Sequence, residues 1–186
     1  MKITRRQIRH VIMEALQPKM LPDGWKMQIH AGDSLSAEGH SLLVVLLNGS
    51  GRTIGKVGAD RHWTDNRCIA DVFEVTGSEV RGGYGPTLYD VAIEWATLNG
   101  LGLVADRSGV SAEAERVWQK YLTARPDVSA HRLPDGYCVG PEAEYGGGEW
   151  YLHRYTKEEN LIPAMARSGQ LEIIYDDEIE DINLYI

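Results

Sequence analysis

Val80-Arg81-Gly82-Gly83-Tyr84-Gly85-Pro86-Thr87-Leu88-Tyr89-Asp90-Val91-Ala92-Ile93-Glu94-Trp95-Ala96 decides the fold, because a glycine-rich turn runs directly into an amphipathic helix. Leu88, Val91, Ala92, Trp95 and Ala96 recur at helical spacing and form the stripe that faces a core. Pro86 falls at the first helical position, where its missing N–H is tolerated. Upstream, Cys68 to Val75 reads as a strand. Downstream, Asn99-Gly100 stops the helix and Leu101-Gly102-Leu103-Val104-Ala105 reads as the next strand. A strand, a glycine turn, a helix and a strand in that order aim backbone N–H groups, backed by the positive end of a helix dipole, at whatever occupies the turn. A phosphate or pyrophosphate is the expected occupant.

The surrounding chain has 186 residues, 43% hydrophobic and 25% charged, enough for one well-formed core. Its formal charge of −8 opposes any general affinity for nucleic acid or an anionic membrane. Cys68 and Cys138, far apart in sequence, form no disulfide framework and read as cysteines of a reducing compartment. No apolar run approaches the ~20 residues that span a bilayer, and the first residues lack the apolar core of a signal peptide. The expected location is cytoplasmic.

Outward from the turn, residues 1–20 form a basic N-terminal helix: Thr4 and Gln7 fit a capping box, Ile8, Val11, Ile12, Ala15 and Leu16 fall at helical spacing, and Pro18 ends it. Lys2, Arg5, Arg6 and Arg9 crowd the helix start, where the dipole disfavours cations, so they read as a solvated face or a contact for an acidic partner. Pro22-Asp23-Gly24 is a turn, repeated in type at Pro134-Asp135-Gly136. Trp25, Met27 and Ile29 then alternate as in a half-buried strand. Leu42 to Leu47 and Thr53 to Ala59 are strands joined by the hairpin turn Asn48-Gly49-Ser50-Gly51. The Gly49-to-Lys56 segment falls short of a nucleotide-hydrolase phosphate loop, since Ser50 stands at the first glycine position and Val57 follows the lysine.

Past the central helix, the strand ends at Asp106-Arg107, which reads either as a specificity pair at a strand end of an open sheet or as an ion pair holding the following loop. Ser111 caps a helix with Ala114, Val117, Trp118 and Tyr121 on one face. Val128 to Leu133 and Trp150 to Tyr155 read as strands on either side of a Gly146-Gly147-Gly148 loop. The C-terminal extension, 156–186, is expected to hold a helix interrupted at Pro163, a strand around Leu171–Tyr175, and an acidic run of Asp176, Asp177, Glu178, Glu180 and Asp181. The oppositely charged ends are candidates to meet each other, within one molecule or across a homodimer. The six histidines show no metal-ligand spacing, and no metal is expected. Cys138 with His131 or His153 has no local support as a nucleophile and base, and His62-Trp63 is a loop that either rims a site or folds onto the core.

This order of elements resembles the GNAT superfamily of N-acetyltransferases over roughly residues 25–135. The stretch from Asp71-Val72-Phe73-Glu74-Val75 to Glu79-Val80-Arg81-Gly82-Gly83-Tyr84-Gly85-Pro86-Thr87-Leu88 is similar to that family's acetyl-coenzyme A motif, Gln/Arg-x-x-Gly-x-Gly/Ala. The opening Met1-Lys2-Ile3-Thr4-Arg5-Arg6-Gln7 resembles those of many phage-encoded proteins, which would place the chain in a host cytoplasm. The resemblance implies an α/β (α+β) fold with a mixed, mostly antiparallel sheet flanked by helices, the acyl-CoA-binding domain covering 21–155. It also implies transfer of an acetyl group from acetyl-CoA, as co-substrate, to an amine of a small molecule or protein. Coenzyme contacts would come from Val75, Val80, Arg81, Gly82, Gly83, Tyr84, Gly85, Pro86, Thr87 and Ser111, chiefly through backbone amides. Glu74 or Asp71 would be the base and Tyr121 the acid.

Two departures stand out. Val80 occupies the motif's Gln/Arg position, with Arg81 one place too close to Gly83. In the later helix, the family's Asn-x-x-Ala-x-x-x-Tyr maps onto Ser111, Ala114 and Trp118, so no hydroxyl stands at the tyrosine position; Tyr121, Tyr84 and Tyr89 are the other donors. A GNAT-like fold retained for binding or virion association, without catalysis, is the alternative reading.

Overall fold

The computed structural model describes residues 21–32, 41–61, 71–106, 109–133, 148–158 and 160–175. The basic N-terminal segment, His62, Trp63, Arg107, Cys138 and the acidic run at 176–181 lie outside these residues. Within them the chain forms strands β1 (Lys26–Ala31), β2 (Leu42–Leu47), β3 (Thr53–Arg61) and β4 (Phe73–Val80), helix α1 (Gly85–Asn99), and strand β5 (Leu103–Val104). Helix α2 (Ala112–Thr123), β6 (Val128–Arg132), β7 (His153–Lys157), helix α3 (Leu161–Arg167) and β8 (Leu171–Tyr175) complete it. The fold is mixed α and β: the described residues form three helices and one eight-stranded sheet in the order β6-β7-β5-β4-β3-β2-β1-β8. All strand pairs are antiparallel except β4 with β5 and β1 with β8.

The first four strands form a meander, and local turn chemistry sets the hairpin between β2 and β3. Between β2 and β3 the Asn48 carboxamide oxygen accepts from the N–H groups of Ser50 (3.0 Å) and Arg52 (2.9 Å), so one side chain folds the hairpin. This is the hairpin expected at Gly49–Lys56. β4 begins at Phe73 and runs to Val80, later than the Cys68–Val75 strand expected. Its second half is paired to β3 although Thr76, Gly77, Ser78 and Glu79 are exposed, so it lacks the apolar alternation that marks a strand in sequence.

Thr76 is the extra residue of a bulge, since Gly58 faces Gly77 while Ala59 faces Val75. The bulge changes which residues face α1. Phe73 and Val75 lie in the core before it, whereas Val80 packs on the core and Ser78 bonds a side chain of α1 after it.

Helix α1 is buried from Thr87 through Ala96 without interruption, in place of the amphipathic pattern expected. The sheet covers the stripe predicted from spacing, and α2 and α3 cover the remainder through Trp118, Tyr121, Leu161, Ile162 and Met165, all in the same core cluster. Its polar positions are paired. The fully buried Glu94 carboxylate accepts from the N–H groups of Asn160 (3.0 Å), Leu161 (2.9 Å) and Ile162 (2.8 Å), capping α3 from another helix. Pro163 does not interrupt α3: it lies in the first turn, where an N–H would have no helical partner. The Trp150–Tyr155 strand is likewise corrected. Glu149–Leu152 is a 3-10 turn, held by the Tyr151 N–H on the Gly148 carbonyl, and β7 starts only at His153.

Candidate functional site

β4 and β5 are paired only at Phe73–Leu103 and Glu74–Val104. β5 ends there while β4 continues to Val80, so the two parallel strands part at their C-terminal ends. Ligands of open sheets bind in crevices of this kind, outside the carboxyl ends of the strands. The glycine turn stands at the same end, because β4 leads directly into it.

Gly82 (φ 70°) and Gly83 (φ 76°) are successive left-handed residues, a conformation costly to any residue with a Cβ. Tyr84 follows as the N-cap of α1 and makes no side-chain cap bond. The first intrahelical bond runs from the Leu88 N–H to the Tyr84 carbonyl at 3.1 Å, so helical pairing offers the Gly85 N–H no acceptor. Gly85 has neither a positive φ nor, among the described residues, an atom within 4 Å of where a Cβ would stand. Gly77, on the stretch of β4 beyond β5, has the same two properties.

The other residues expected to bind coenzyme are distributed around this turn. Arg81 is exposed, and its N–H donates to the Ile54 carbonyl at 3.1 Å, which ties the turn to β3. Val80 is half-buried, Pro86 half-exposed, and Thr87 fully buried. The Tyr84 ring lies against Trp25, centroids 5.1 Å apart. Val75 points into the core, so only its backbone edge is turned toward the parting strands. Ser111 is committed locally, its hydroxyl accepting from the Ala114 N–H at 3.2 Å as the cap of α2.

The two carboxylates expected as bases separate. Asp71 precedes β4 at φ 61°, its carboxylate paired with Arg61 at 3.1 Å and its carbonyl accepting from the Leu101 N–H at 2.8 Å. It therefore sits by the C-terminus of α1, about 21 Å of helix away from the glycine turn. Glu74 is at the last paired position of β4, where the strands begin to part, on the face opposite the buried Phe73 and Val75. The structure thus brings Glu74 to the crevice and leaves Asp71 at the far end.

Tyr121 lies behind the turn rather than in the crevice. It is buried, and its hydroxyl faces the Asp90 carboxylate at 2.8 Å and the Pro86 carbonyl at 3.1 Å. Burial first, and the Asp90 charge second, hold its pKa well above that of a free tyrosine, so it is a poor proton donor at neutral pH. Asp90 in turn accepts from Arg125 at 2.9 Å, and Arg125 forks onto Asp127 through Nε (2.8 Å) and Nη2 (2.7 Å). The buried Lys157 also bonds Asp127. Burial raises the Asp90 pKa against the pull of Arg125, whereas the Arg125 bond drives that of Asp127 below the usual carboxylate range.

A different tyrosine bonds β4 beyond the end of β5. Tyr89, on α1, donates to the Ser78 hydroxyl at 3.0 Å across the part of β4 that lies beyond β5. Its pKa is raised by burial, with a smaller push from the charge of Asp106 just after β5.

Asp90, Arg125, Lys157 and Ser78 escaped the reading of the sequence. One signal could have found Asp90: it and Glu94 are the only charged residues in Gly85–Asn99, four apart and of like sign. Such a pair is mildly unfavourable on an exposed helix, so it points to partners from outside.

His131 meets the Thr156 hydroxyl at 2.8 Å and His153 the Glu149 carbonyl at 2.8 Å, ordinary uses of strand histidines. Among the described residues no group of three or more His, Cys, Asp or Glu is arranged to hold a metal ion, and no helix is long and apolar enough to cross a membrane. Compared with protein-family models, curated proteins and solved structures, the chain gives no match to any.

Proposed function

We propose that the protein binds acetyl-coenzyme A between β4 and β5 and transfers the acetyl group to an amine, as the resemblance to the GNAT superfamily implies. The observation that carries the reading is the parting of β4 from β5 beside a glycine turn that opens α1. The turn supplies backbone N–H groups for a pyrophosphate. Beyond Glu74 the β4 edge on the β5 side is outside the ladder, so an extended arm with amide groups, such as that of coenzyme A, can lie where a strand would otherwise pair. Gly77 and Gly85 admit close approach of such a ligand. Glu74 stands where the thioester end would reach and takes the amine proton as the C–N bond forms and the C–S bond breaks; the departing coenzyme A thiolate takes its proton from solvent. The expected location remains cytoplasmic, and a net charge of −8 steers cationic acceptors toward the protein.

A second reading, coenzyme binding without turnover, has its own observation: the hydroxyl of Tyr121 is engaged behind the turn, and the buried Trp118 fills the neighbouring tyrosine position. Isothermal titration with acetyl-CoA, beside a Gly83→Glu variant, tests both. Saturable binding lost in the variant, with thiol release in the presence of amines, supports transfer. Binding without thiol release selects the second reading. Absence of binding at millimolar coenzyme refutes both.

A further inference from the structure

The glycine turn is weakly fixed by its own sequence. Three of the residues 82–85 are glycines, no N-cap side chain bonds the first helical N–H groups, and Pro86 donates none. An anion site built from backbone amides discriminates only when those amides are held in place before the ligand arrives. Bonds from outside hold it, beside the Tyr84 ring on Trp25. On one side the Arg81 N–H is tied to Ile54 of β3 at 3.1 Å. On the other, the hydroxyl of Tyr121 shares its proton between the Asp90 carboxylate and the carbonyl of Pro86, in the first turn of α1.

Tyr121 is itself closely packed. Its ring packs in the core against Trp118 and Tyr155, with centroids 5.9 and 6.2 Å away. Behind it the chain Asp90, Arg125, Asp127, Lys157 runs through α1, the segment between α2 and β6, and β7. Every link is a hydrogen bond with at least one charged partner, the stronger kind.

We propose that Tyr121 is a positioning residue, which through Pro86 and with Asp90 and Arg125 behind it fixes the first turn of α1 for binding the coenzyme pyrophosphate. This rests on the coenzyme reading above. It gives the buried tyrosine a use in place of proton donation.

Tyr121→Phe removes the hydroxyl and keeps the ring. Amide hydrogen exchange of the protein without ligand should then quicken at Leu88 and Tyr89, which close the first turn, and stay unchanged from Ala92 to Ala96. Acetyl-CoA affinity by calorimetry should fall about tenfold, the order expected when a preorganised site is loosened. Arg125→Lys, which leaves Tyr121 and Asp90 in place but gives up the fork onto Asp127, should show a smaller effect at the same amides. It also serves should the Phe variant fold poorly. A change spread evenly over α1, or no change at Leu88 and Tyr89 in either variant, overturns the proposal. Equal affinity of wild type and Tyr121→Phe overturns it while leaving the coenzyme reading intact; a wild type that binds no acetyl-CoA removes both.

Discussion

Replacing Glu94 tests whether α3 is held by a carboxylate from α1. Its Oε1 accepts from Asn160 and Ile162 and its Oε2 from Leu161, at 2.8–3.0 Å, with no exposure to solvent. Hydrogen bonds to a charged group contribute about 1.5–3 kcal/mol each. Dehydration of the carboxylate, the main reason its pKa is raised, offsets part of that sum. Glu94→Ala strands three N–H groups, two of them on buried residues, and should cost about 3–4 kcal/mol. For a chain of this size that is roughly 6–15 °C in Tm. Glu94→Gln keeps one oxygen for Asn160 and Ile162 and turns an NH2 group toward the Leu161 N–H, so it should cost about half as much. Thermal melts followed by circular dichroism at pH 7 read the order Ala, Gln, wild type. Because burial raises the Glu94 pKa above its ordinary 4.5, its contribution is full below that value and declines as pH rises through the folded value. The gap between wild type and Glu94→Gln should therefore be wider at pH 4 than at pH 7. Equal melting of all three proteins at pH 7, or a gap that widens with pH, would refute the reasoning.

Asp127 carries the opposite sign. Its pKa is lowered chiefly by the Arg125 bond, so its stabilisation is present above the ordinary 3.8 and lost as pH falls through the folded value. The Tm difference between wild type and Asp127→Asn should narrow between pH 5 and pH 2.5. Gly102→Ala places a Cβ 2.5 Å from the Tyr155 carbonyl oxygen at φ 114°, and urea melts should show a loss above about 2 kcal/mol. In an acetyl-transfer assay Glu74→Gln should lower kcat by about 10²-fold or more with KM for acetyl-CoA little changed, while Asp71→Asn leaves both alone. The converse pattern would assign the base to Asp71.

The elements legible in the sequence are those whose cause is local. The β2–β3 hairpin follows from Asn48 bonding its own turn, α2 begins where Ser111 can cap it, and the turn at Gly82-Gly83 needs residues without a Cβ. What the chain conceals is decided by partners far away. The late part of β4 is a strand because β3 pairs with it, although its side chains are polar. α1 looks amphipathic because nothing near it announces that residues 160–162 will cover Glu94 or that Arg125 will reach Asp90. The same limit governs the site. The glycine turn before α1 was visible, whereas the burial that commits Tyr121 to Asp90, and the separation of Asp71 from Glu74, depend on packing and on where β5 ends.

The pairing of β8 with β1 has a consequence for how the protein is made. β1 to β4 join neighbours along the chain and can assemble as each emerges from the ribosome, with short loops to close. The other edge of β1 waits for the last described strand: Gln28 and Glu172, bonded at 2.9 Å, are 144 residues apart. Throughout synthesis the backbone edge that includes Met27 and Ile29 is open to any extended chain that comes by. A nascent or truncated chain that stops short of Leu171 should be the species that recruits chaperones and aggregates, even where its glycine turn is already formed.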